Sequence, residues 1–218
     1  MAKFYAVKQG RIPGIYLTWD QAKRQIDHFS GAVYKSFPTK AEAEAFMGGE
    51  AAAAAPAQPT VTNAQIQAAV DGLSGTNAIA FTDGSFDVRL KRYGYGAVVL
   101  HRAASGQLLS ETFAQSFVHE AGNLRNVSGE LLAVRRAISW AITADIDRLT
   151  IYYDYMGVEQ WATKGWAANK PETKDYQRFI ASVAGVIELR FVKVPAHTGI
   201  SYNEQVDRLA RGSLRTID

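Results

Sequence analysis

The sequence AIAFTDGS at residues 78–85 decides the fold, because an apolar run typical of a buried strand ends there in a carboxylate and a glycine. Side chains alternate between the two faces of a strand, so Asp83 shares a face with the apolar Ile79 and Phe81. A lone buried carboxylate costs several kcal/mol unless a positive charge compensates it. The stretch therefore predicts either a bound cation or a basic side chain beside Asp83, although an Asp-Gly pair taken alone is typical of a simple turn.

Three further carboxylates occupy comparable positions along the chain. Glu130 falls beside the apolar stripe of a predicted helix over residues 123–144. Asp207 falls beside the apolar residues of a second predicted helix, over residues 202–214. Asp154 ends a predicted strand, at the edge where open α/β sheets bind their ligands. Four carboxylates, together with phosphate oxygens and water, suit Mg²⁺ and can hold two ions in the clamp that drives in-line phosphoryl displacement.

The four carboxylates belong to a set of motifs that resembles type 1 ribonuclease H. In chain order the motifs are FTDGS at 81–85, RNVSGEL at 125–131, YYDY at 152–155, AHTG at 196–199 and NEQVD at 203–207. The resemblance covers about residues 76–215 and implies an α/β fold with a mixed five-stranded sheet flanked by helices. It also implies an endonuclease that hydrolyses the RNA strand of RNA–DNA hybrids and leaves 5′-phosphate and 3′-hydroxyl ends.

The same resemblance implies a two-metal mechanism, with two Mg²⁺ ions in the site and Mn²⁺ able to replace them. Asp83 would bridge both ions, and Asp207 would help to hold the ion that activates the attacking water. Glu130 and Asp154 would hold the ion that faces the leaving oxygen. His197, in the AHTG motif, would shuttle a proton or help to expel the product.

Contacts to the RNA strand are expected around the first two motifs. The backbone at Gly84 and Ser85, and 2′-hydroxyl contacts near Glu130, would distinguish RNA from DNA. Asn126 is a candidate base or sugar contact, whereas the second amide usual in the family is replaced by Val127.

A basic segment stands where some family members carry a substrate-gripping protrusion, and here it is shortened. It comprises Lys164, Lys170 and Lys174, with the nearby Trp161 and Trp166. Two interpretations stay open: a grip on the substrate, or a solvated helix connection whose tryptophans belong to the core.

The first 49 residues predict a separate small α+β unit, dense in positive charge. They hold seven Lys or Arg against four Asp or Glu. The predicted elements are strands near 3–9, 15–19 and 32–37, a helix capped by Thr18 or Asp20 and ending at Ile26, and a helix over 40–47. Aromatic residues in so small a unit usually form its core, but aromatics interleaved with cations also bind sugars, bases and phosphates.

Three segments of this unit resemble the hybrid-binding domain, also called viroplasmin-like, that precedes many type 1 ribonucleases H. They are FYAV at 4–7, GIYLTW at 14–19 and YKSF at 34–37. The resemblance implies that Trp19 and Tyr34 pack against sugars of the DNA strand while Lys35 contacts its phosphates, and Tyr5 is a further aromatic candidate. Ser36 stands where the family often has a second basic residue, so one phosphate contact is missing.

The remaining sequence predicts how the parts connect. Residues 50–75, rich in Ala and Pro at their start, predict a linker in which residues 63–73 form an isolated amphipathic turn or two. The catalytic domain is expected over residues 76–218. Its predicted strands are 79–86, 93–101 and 107–117, antiparallel to their neighbours, followed by 148–154, parallel to the first, and 187–194.

Composition sets wider bounds on the 218 residues. The chain has no cysteine, which excludes a disulfide framework and thiolate metal sites. It shows no signal peptide and no apolar run of membrane-spanning length, so a soluble, cytoplasmic protein with no membrane partner is expected. The net charge of +3 makes the chain only mildly basic, which by itself does not indicate nucleic-acid binding. His28, His101 and His119 lie in ordinary structural contexts, and no obligate protein partner is implied.

Two other functional classes are compatible with parts of the pattern. A non-cleaving hybrid-binding protein would have no need of four carboxylates. A DNA-directed nuclease or strand-transfer enzyme of the same superfamily would have no need of the N-terminal unit. The hybrid-cleaving nuclease accounts for both features.

Overall fold

The computed structural model describes residues 4–27, 29, 31–39, 42–43, 46–47, 61–120, 124–194 and 201–215. The chain divides into two compact units, Met1–Pro59 and Thr60–Asp218. No helix in the described ranges combines the length and apolar character that crossing a bilayer requires.

The first unit is a three-stranded antiparallel sheet with a helix packed on it. Its elements are β1 (Phe4–Gln9), β2 (Gly14–Tyr16), α1 (Trp19–Ile26) and β3 (Val33–Phe37), with strand order β2-β1-β3. Thr18 caps α1 by accepting a hydrogen bond from the Gln21 backbone N–H. The cap makes Trp19 the first helical residue, so the strand predicted over 15–19 ends early, at Tyr16. The helix predicted over 40–47 lies largely outside the described residues.

The second unit contains a mixed five-stranded sheet, as the sequence predicts. In chain order the elements are α2 (Asn63–Asp71), β4 (Asn77–Asp87), β5 (Arg92–Arg102), β6 (Leu108–Val118), α3 (Asn126–Thr143), β7 (Arg148–Tyr153), α4 (Gly157–Ala162), α5 (Pro171–Val183), β8 (Glu188–Lys193) and α6 (Ser201–Ser213). The strand order is β6-β5-β4-β7-β8. Strands β4, β5 and β6 pair antiparallel, while β4–β7 and β7–β8 pair parallel.

Both faces of this sheet are buried, and the alternation along β4 assigns its side chains to them. Ala78 and Ala80 join a core with Val134 and Ile138 of α3. On the opposite face, Ile79 and Phe81 join a core with residues of α2 and α6. The Phe81 ring stacks on both Tyr152 of β7 and Tyr202 of α6, with centroids 4.9 and 4.8 Å away. The residue two positions before Asp83 thereby ties β4 to two other elements.

Because residues 63–71 form helix α2, the linker is shorter than the sequence predicts. The sequence prediction placed residues 63–71 within the linker, but they form a helix that belongs to the second unit. Thr62 and Gln65 close its start with reciprocal hydrogen bonds, a capping box. Ile66 and Val70, one turn apart, are buried in the sheet's second core. The amphipathic turn or two that the sequence indicates at residues 63–73 is therefore a helix packed in the core and not an isolated part of the linker.

Two glycines let helices approach the sheet at backbone distance. A Cβ on Gly84 of β4 would lie 2.3 Å from the Asn126 carbonyl oxygen and 2.4 Å from the Glu130 nitrogen, both in α3. A Cβ on Gly96 of β5 would lie 2.4 Å from the Val206 carbonyl oxygen of α6. Real side chains do not tolerate such contacts, so glycine at these positions fixes how closely α3 and α6 sit against the strands.

The burial of α2 generates a stability prediction. Ile66→Ala should lower the free energy of unfolding by about 2–4 kcal/mol, because it removes a side chain from a closed core. Gln67→Ala, on the exposed side of the same helix, should change it by less than about 0.5 kcal/mol. Urea unfolding of both variants measures the difference. Equal, small effects would show that α2 does not belong to the core.

Candidate active site

Three carboxylates meet near the middle of the five-stranded sheet, where the pairing of β4 with β7 ends. Strands β4 and β7 run parallel with Phe81 paired to Tyr152, so Asp83 and Asp154 each follow that pair by two residues. Glu130, in the second turn of α3, reaches the same point from above the strand ends. One oxygen from each of the three carboxylates lies within 4.8 Å of the others. The parallel register and the close approach of α3 therefore bring together the groups that the sequence predicts as ligands.

Asp207 lies in the same cavity but outside this group of three. The cavity has a volume of about 580 Å³ and is lined by all four predicted carboxylates. Asp207 belongs to α6, and its Oδ1 accepts a hydrogen bond from Nε of Arg211 at 2.9 Å. It still lies near enough to Asp83 to contribute to the rise in the pKa of that carboxyl.

Burial and mutual repulsion make the ionised carboxylates unfavourable. Asp83 is 9% exposed and Glu130 is 3% exposed. Burial, and then the charge of Asp154, raise the pKa of Asp83 to about 7. Burial and the charge of Asp83 raise the pKa of Glu130 well above its ordinary value. The Gly84 backbone N–H donates to Asp83 Oδ1 at 2.8 Å and offsets only part of this effect.

The donor set fits a hard divalent cation. Of the two partners that the sequence allowed for Asp83, a basic side chain does not fill the role within the described residues. Arg211 pairs with Asp207, and the guanidinium of Arg125 lies 5.6 Å from the Phe86 ring. Glu130 Oε2 is buried with no hydrogen-bond partner among the described residues. Crowded carboxylate oxygens with an unsatisfied acceptor are the ligands that Mg²⁺ or Mn²⁺ takes.

Three further predicted site residues lie at this cavity. Gly84, Ser85 and Asn126 line it beside the carboxylates. His197 lies in residues 195–200, outside the described part of the chain, so its role stays a prediction.

Several cavity-lining residues were not predicted from the sequence. They are Phe86, Arg125, Tyr155, Asn203, Glu204 and Arg211. The clearest missed signal is the spacing of Asn203, Asp207 and Arg211, which places all three on one face of α6. Asn203 is 8% exposed, and its Oδ1 has no hydrogen-bond partner among the described residues.

The first unit carries an exposed aromatic cluster. The Trp19 ring lies between Tyr5 and Tyr34, with centroid distances of 5.7 and 5.8 Å. Trp19 and Tyr34 remain 40% and 48% exposed, which is high for rings in a small core. Lys35 follows Tyr34 on β3 and takes the opposite face, where its Nζ lies 5.4 Å from the Phe37 ring centroid. The structure therefore groups the three predicted aromatics and places the predicted lysine on the other side of the strand.

The segment around Trp161 and Trp166 fits neither of the two interpretations completely. One tryptophan packs against the core, and the other is exposed to solvent. Trp161 is partly buried against the core. Trp166 is 41% exposed and meets Trp161 edge to face at 5.6 Å. Lys164, Lys170 and Lys174 are all exposed.

Comparisons with known sequences identify relatives for both units. Residues 3–47 match the family profile described as "Ribonuclease H1 N-terminal domain", and residues 75–215 match the one described as "RNase H". Human Ribonuclease H1 is 26% identical over 258 aligned positions, which cover 95% of this chain and 88% of the human protein. The Ribonuclease H of Crithidia fasciculata is 59% identical over 44 positions, which cover 20% of this chain and 9% of that protein.

Solved structures share the fold of the second unit. The RNase H1 of Halobacterium salinarum NRC-1 superimposes with a TM-score of 0.52 and 20% identity, covering 63% of this chain and 97% of that one. LC11-RNase H1, solved in complex with an RNA/DNA hybrid, gives a TM-score of 0.50 and 19% identity, covering 63% of this chain and 96% of that one. These similarities confirm the predicted fold.

The crowded carboxylates generate a prediction for the metal-free protein. Because the folded-state pKa of Asp83 is raised to about 7, the folded chain binds more protons than the unfolded chain between about pH 4 and 7. The free energy of unfolding in chelator should therefore fall by about 1–3 kcal/mol as pH rises from 5 to 7.5. Urea unfolding at the two pH values measures this fall, and Mg²⁺ added at pH 7.5 should reverse it.

Two variants separate this effect from other titrations. Asp83→Asn should flatten the pH dependence and stabilise the metal-free protein at pH 7.5. Asp87→Asn, at the end of the same strand, should retain the wild-type dependence, because backbone N–H groups lower the pKa of Asp87. A wild-type protein that is more stable at pH 7.5 than at pH 5, with Asp83→Asn behaving identically, would contradict the account.

Proposed function

The chain belongs to the ribonuclease H family and is a ribonuclease H, and we propose that it cuts the RNA strand of RNA–DNA hybrids internally, at the cavity around Asp83. The observation that carries this proposal is the group formed by the buried Asp83 and Glu130 and the half-buried Asp154, in which one oxygen of each carboxylate lies within 4.8 Å of the others. The complex of LC11-RNase H1 with an RNA/DNA hybrid supports the same substrate class.

The four carboxylates would hold two Mg²⁺ ions, with Mn²⁺ as a substitute. Asp83 is suited to serve both ions, because its carboxyl is hydrogen-bonded to Glu130 and lies near enough to Asp154 and Asp207 for their charges to raise its pKa. Glu130 and Asp154 would complete one ion's ligands, and Asp207 would contribute to the other's. When bound, the ions supply a nucleophilic water at neutral pH and stabilise the charge that develops on the leaving oxygen.

The reaction proposed is hydrolysis of the bond between phosphorus and the 3′ oxygen. Water adds to phosphorus as that bond breaks, and a proton passes to the departing oxygen. The products are a 3′-hydroxyl on one fragment and a 5′-phosphate on the other. His197 is proposed to carry a proton during this step or to help expel the product.

Recognition of the RNA strand is proposed to occur at the rim of the cavity. Ser85 offers a hydroxyl and Asn126 an amide beside the carboxylates, and both line the cavity. Such groups bind the 2′-hydroxyl that distinguishes RNA from DNA. The Gly84 backbone also lines the cavity and is proposed to contact the RNA strand there.

The first unit is proposed to bind the hybrid separately from the chemistry. Tyr5, Trp19 and Tyr34 present exposed rings on which sugars or bases can stack. Lys35 is proposed to reach a phosphate past the edge of β3. Residues 1–49 would then act as a tethered grip on the substrate of the catalytic domain, 76–218. A cytoplasmic location and independence of an obligate protein partner stay predictions from the sequence.

The first test measures cleavage by Asp83→Asn. Its rate should fall by about 10²–10³-fold or more at saturating Mg²⁺, because one central ligand is lost. End-labelled RNA–DNA hybrid, duplex DNA, duplex RNA and single-stranded RNA should be compared with Mg²⁺ and with chelator. The wild-type protein should cut only the hybrid, and only with the metal, giving products with 5′-phosphate ends.

Asp87→Asn is the matched control, since it removes a carboxylate from the same strand outside the cavity. It should cleave like the wild type. Activity of Asp83→Asn within tenfold of the wild type would reject the assigned site. Binding of hybrid without cleavage would favour a hybrid-binding protein, and cleavage of duplex DNA would favour a DNA-directed nuclease.

A second test separates grip from chemistry in the first unit. Trp19→Ala should raise KM on long hybrids by about 5- to 100-fold, because stacking on an aromatic ring is worth about 1–3 kcal/mol. Trp19→Ala combined with Lys35→Ala should also lower the salt slope of binding by about one. The kcat should stay near the wild-type value, and Lys8→Ala serves as a control for loss of one lysine from the same unit. A tenfold fall in kcat at constant KM would show that this unit takes part in the chemistry.

A further inference from the structure

The catalytic cavity contains an ion pair that the mechanism above does not use. Arg211 Nε lies 2.9 Å from Asp207 Oδ1, one turn further along α6. Arg211 also lines the cavity, so its guanidinium and the carboxylates share one space. The side chain of Asp207 is 29% exposed and that of Arg211 is 64% exposed, so the pair stands at the cavity's open side.

This pair distinguishes Asp207 from the other three carboxylates. Asp83, Glu130 and Asp154 lie within 4.8 Å of one another, and Asp207 is not one of that group. The Asp83–Glu130 pair has no cationic partner among the described residues, whereas Asp207 has one. A divalent ion that takes Asp207 as a ligand must therefore compete with a charge already in place.

One face of α6 lines the catalytic cavity. Asn203, Asp207 and Arg211 recur every four residues and all line the cavity. Asn203 is 8% exposed, and its Oδ1 has no hydrogen-bond partner among the described residues. An acceptor that is buried and unsatisfied beside Asp207 points to a cation at this end of the cavity, as well as at the group of three.

We propose that Arg211 is an internal counter-cation for Asp207, which holds that carboxylate in the metal-free protein and is displaced when a divalent ion binds there. This inference rests on the proposed metal-dependent function. It assigns Arg211 a positioning role: the guanidinium holds the Asp207 carboxylate in place and weakens binding of a divalent ion that takes Asp207 as a ligand. A divalent ion held by Asp83, Glu130 and Asp154 should be affected less, because the ion pair that Arg211 makes in the described part of the chain is with Asp207, outside that group of three.

The expected size of the effect follows from the exposure of the pair. Ion pairs four residues apart on a partly exposed helix are weak. Removing Arg211 should therefore lower the dissociation constant of the ion that uses Asp207 by about two- to fivefold. An arginine cannot lose its proton in the working pH range, so only substitution or a competing cation removes its charge.

The chain offers a matched control on the same helix. Arg208 pairs with Glu204 at the same four-residue spacing, at 4.0 Å, and its side chain is 69% exposed. It lines a separate groove beside β6 and not the catalytic cavity. Arg208→Gln therefore removes one positive charge from α6 without touching Asp207.

The experiment titrates the full chain with Mn²⁺ in the absence of nucleic acid, following free Mn²⁺ by electron paramagnetic resonance. Arg211→Gln and Arg211→Ala should each lower one Mn²⁺ dissociation constant by about two- to fivefold, or allow one more Mn²⁺ ion to bind. Arg211→Lys, which keeps the charge, should stay near the wild type, as should Arg208→Gln. In an Asp207→Asn background, Arg211→Gln should have no effect.

Unchanged Mn²⁺ binding in both Arg211→Gln and Arg211→Ala would overturn the inference. So would equal tightening with and without Asp207, since that would reflect only the general field of the removed charge. Failure of the wild-type chain to bind any divalent ion would instead reject the proposed function.

Discussion

The mutual repulsion of buried carboxylates is the constraint on which the second unit depends. Asp83, Glu130 and Asp154 are brought together where the pairing of β4 with β7 ends and α3 approaches the sheet, and Glu130 Oε2 has no hydrogen-bond partner among the described residues. Their ionised forms are disfavoured, as the raised pKa values of Asp83 and Glu130 record. The fold therefore holds the carboxylates in an arrangement that a divalent cation would stabilise. The carboxylates line an open cavity that a phosphate group can enter.

Close backbone contacts keep this arrangement from relaxing. At Gly84 the strand meets α3 with no room for a side chain, so Glu130 cannot move away from Asp83 without shifting the helix. At Gly96 the sheet meets α6 in the same way and fixes the helix that carries Asp207. The Phe81 ring, stacked between Tyr152 and Tyr202, adds a rigid base beneath the site.

The sequence predicts most of the site because alternation and strand ends are local signals. Asp83 after Ile79 and Phe81 is visible in eight residues, and Asp154 follows a β-type run. The sequence indicates only an isolated amphipathic turn or two at residues 63–73, because the burial of Ile66 and Val70 depends on a core formed by distant strands. The Asp207–Arg211 pair escaped prediction because four-residue spacing is common on helices, and only the shared cavity gives it meaning. The opposite orientation of Lys35 and Tyr34 follows from strand alternation and could have been predicted.

The most direct test of the central claim is the position of Mn²⁺ in crystals of the full chain bound to a non-cleavable RNA–DNA hybrid, located by anomalous scattering. The account predicts a strong peak among the carboxylates of Asp83, Glu130 and Asp154, and a second peak between Asp83 and Asp207. Both should lie beside the same phosphate of the RNA strand. A hybrid bound with no anomalous peak at these carboxylates, or with its DNA strand in the cavity, would contradict it.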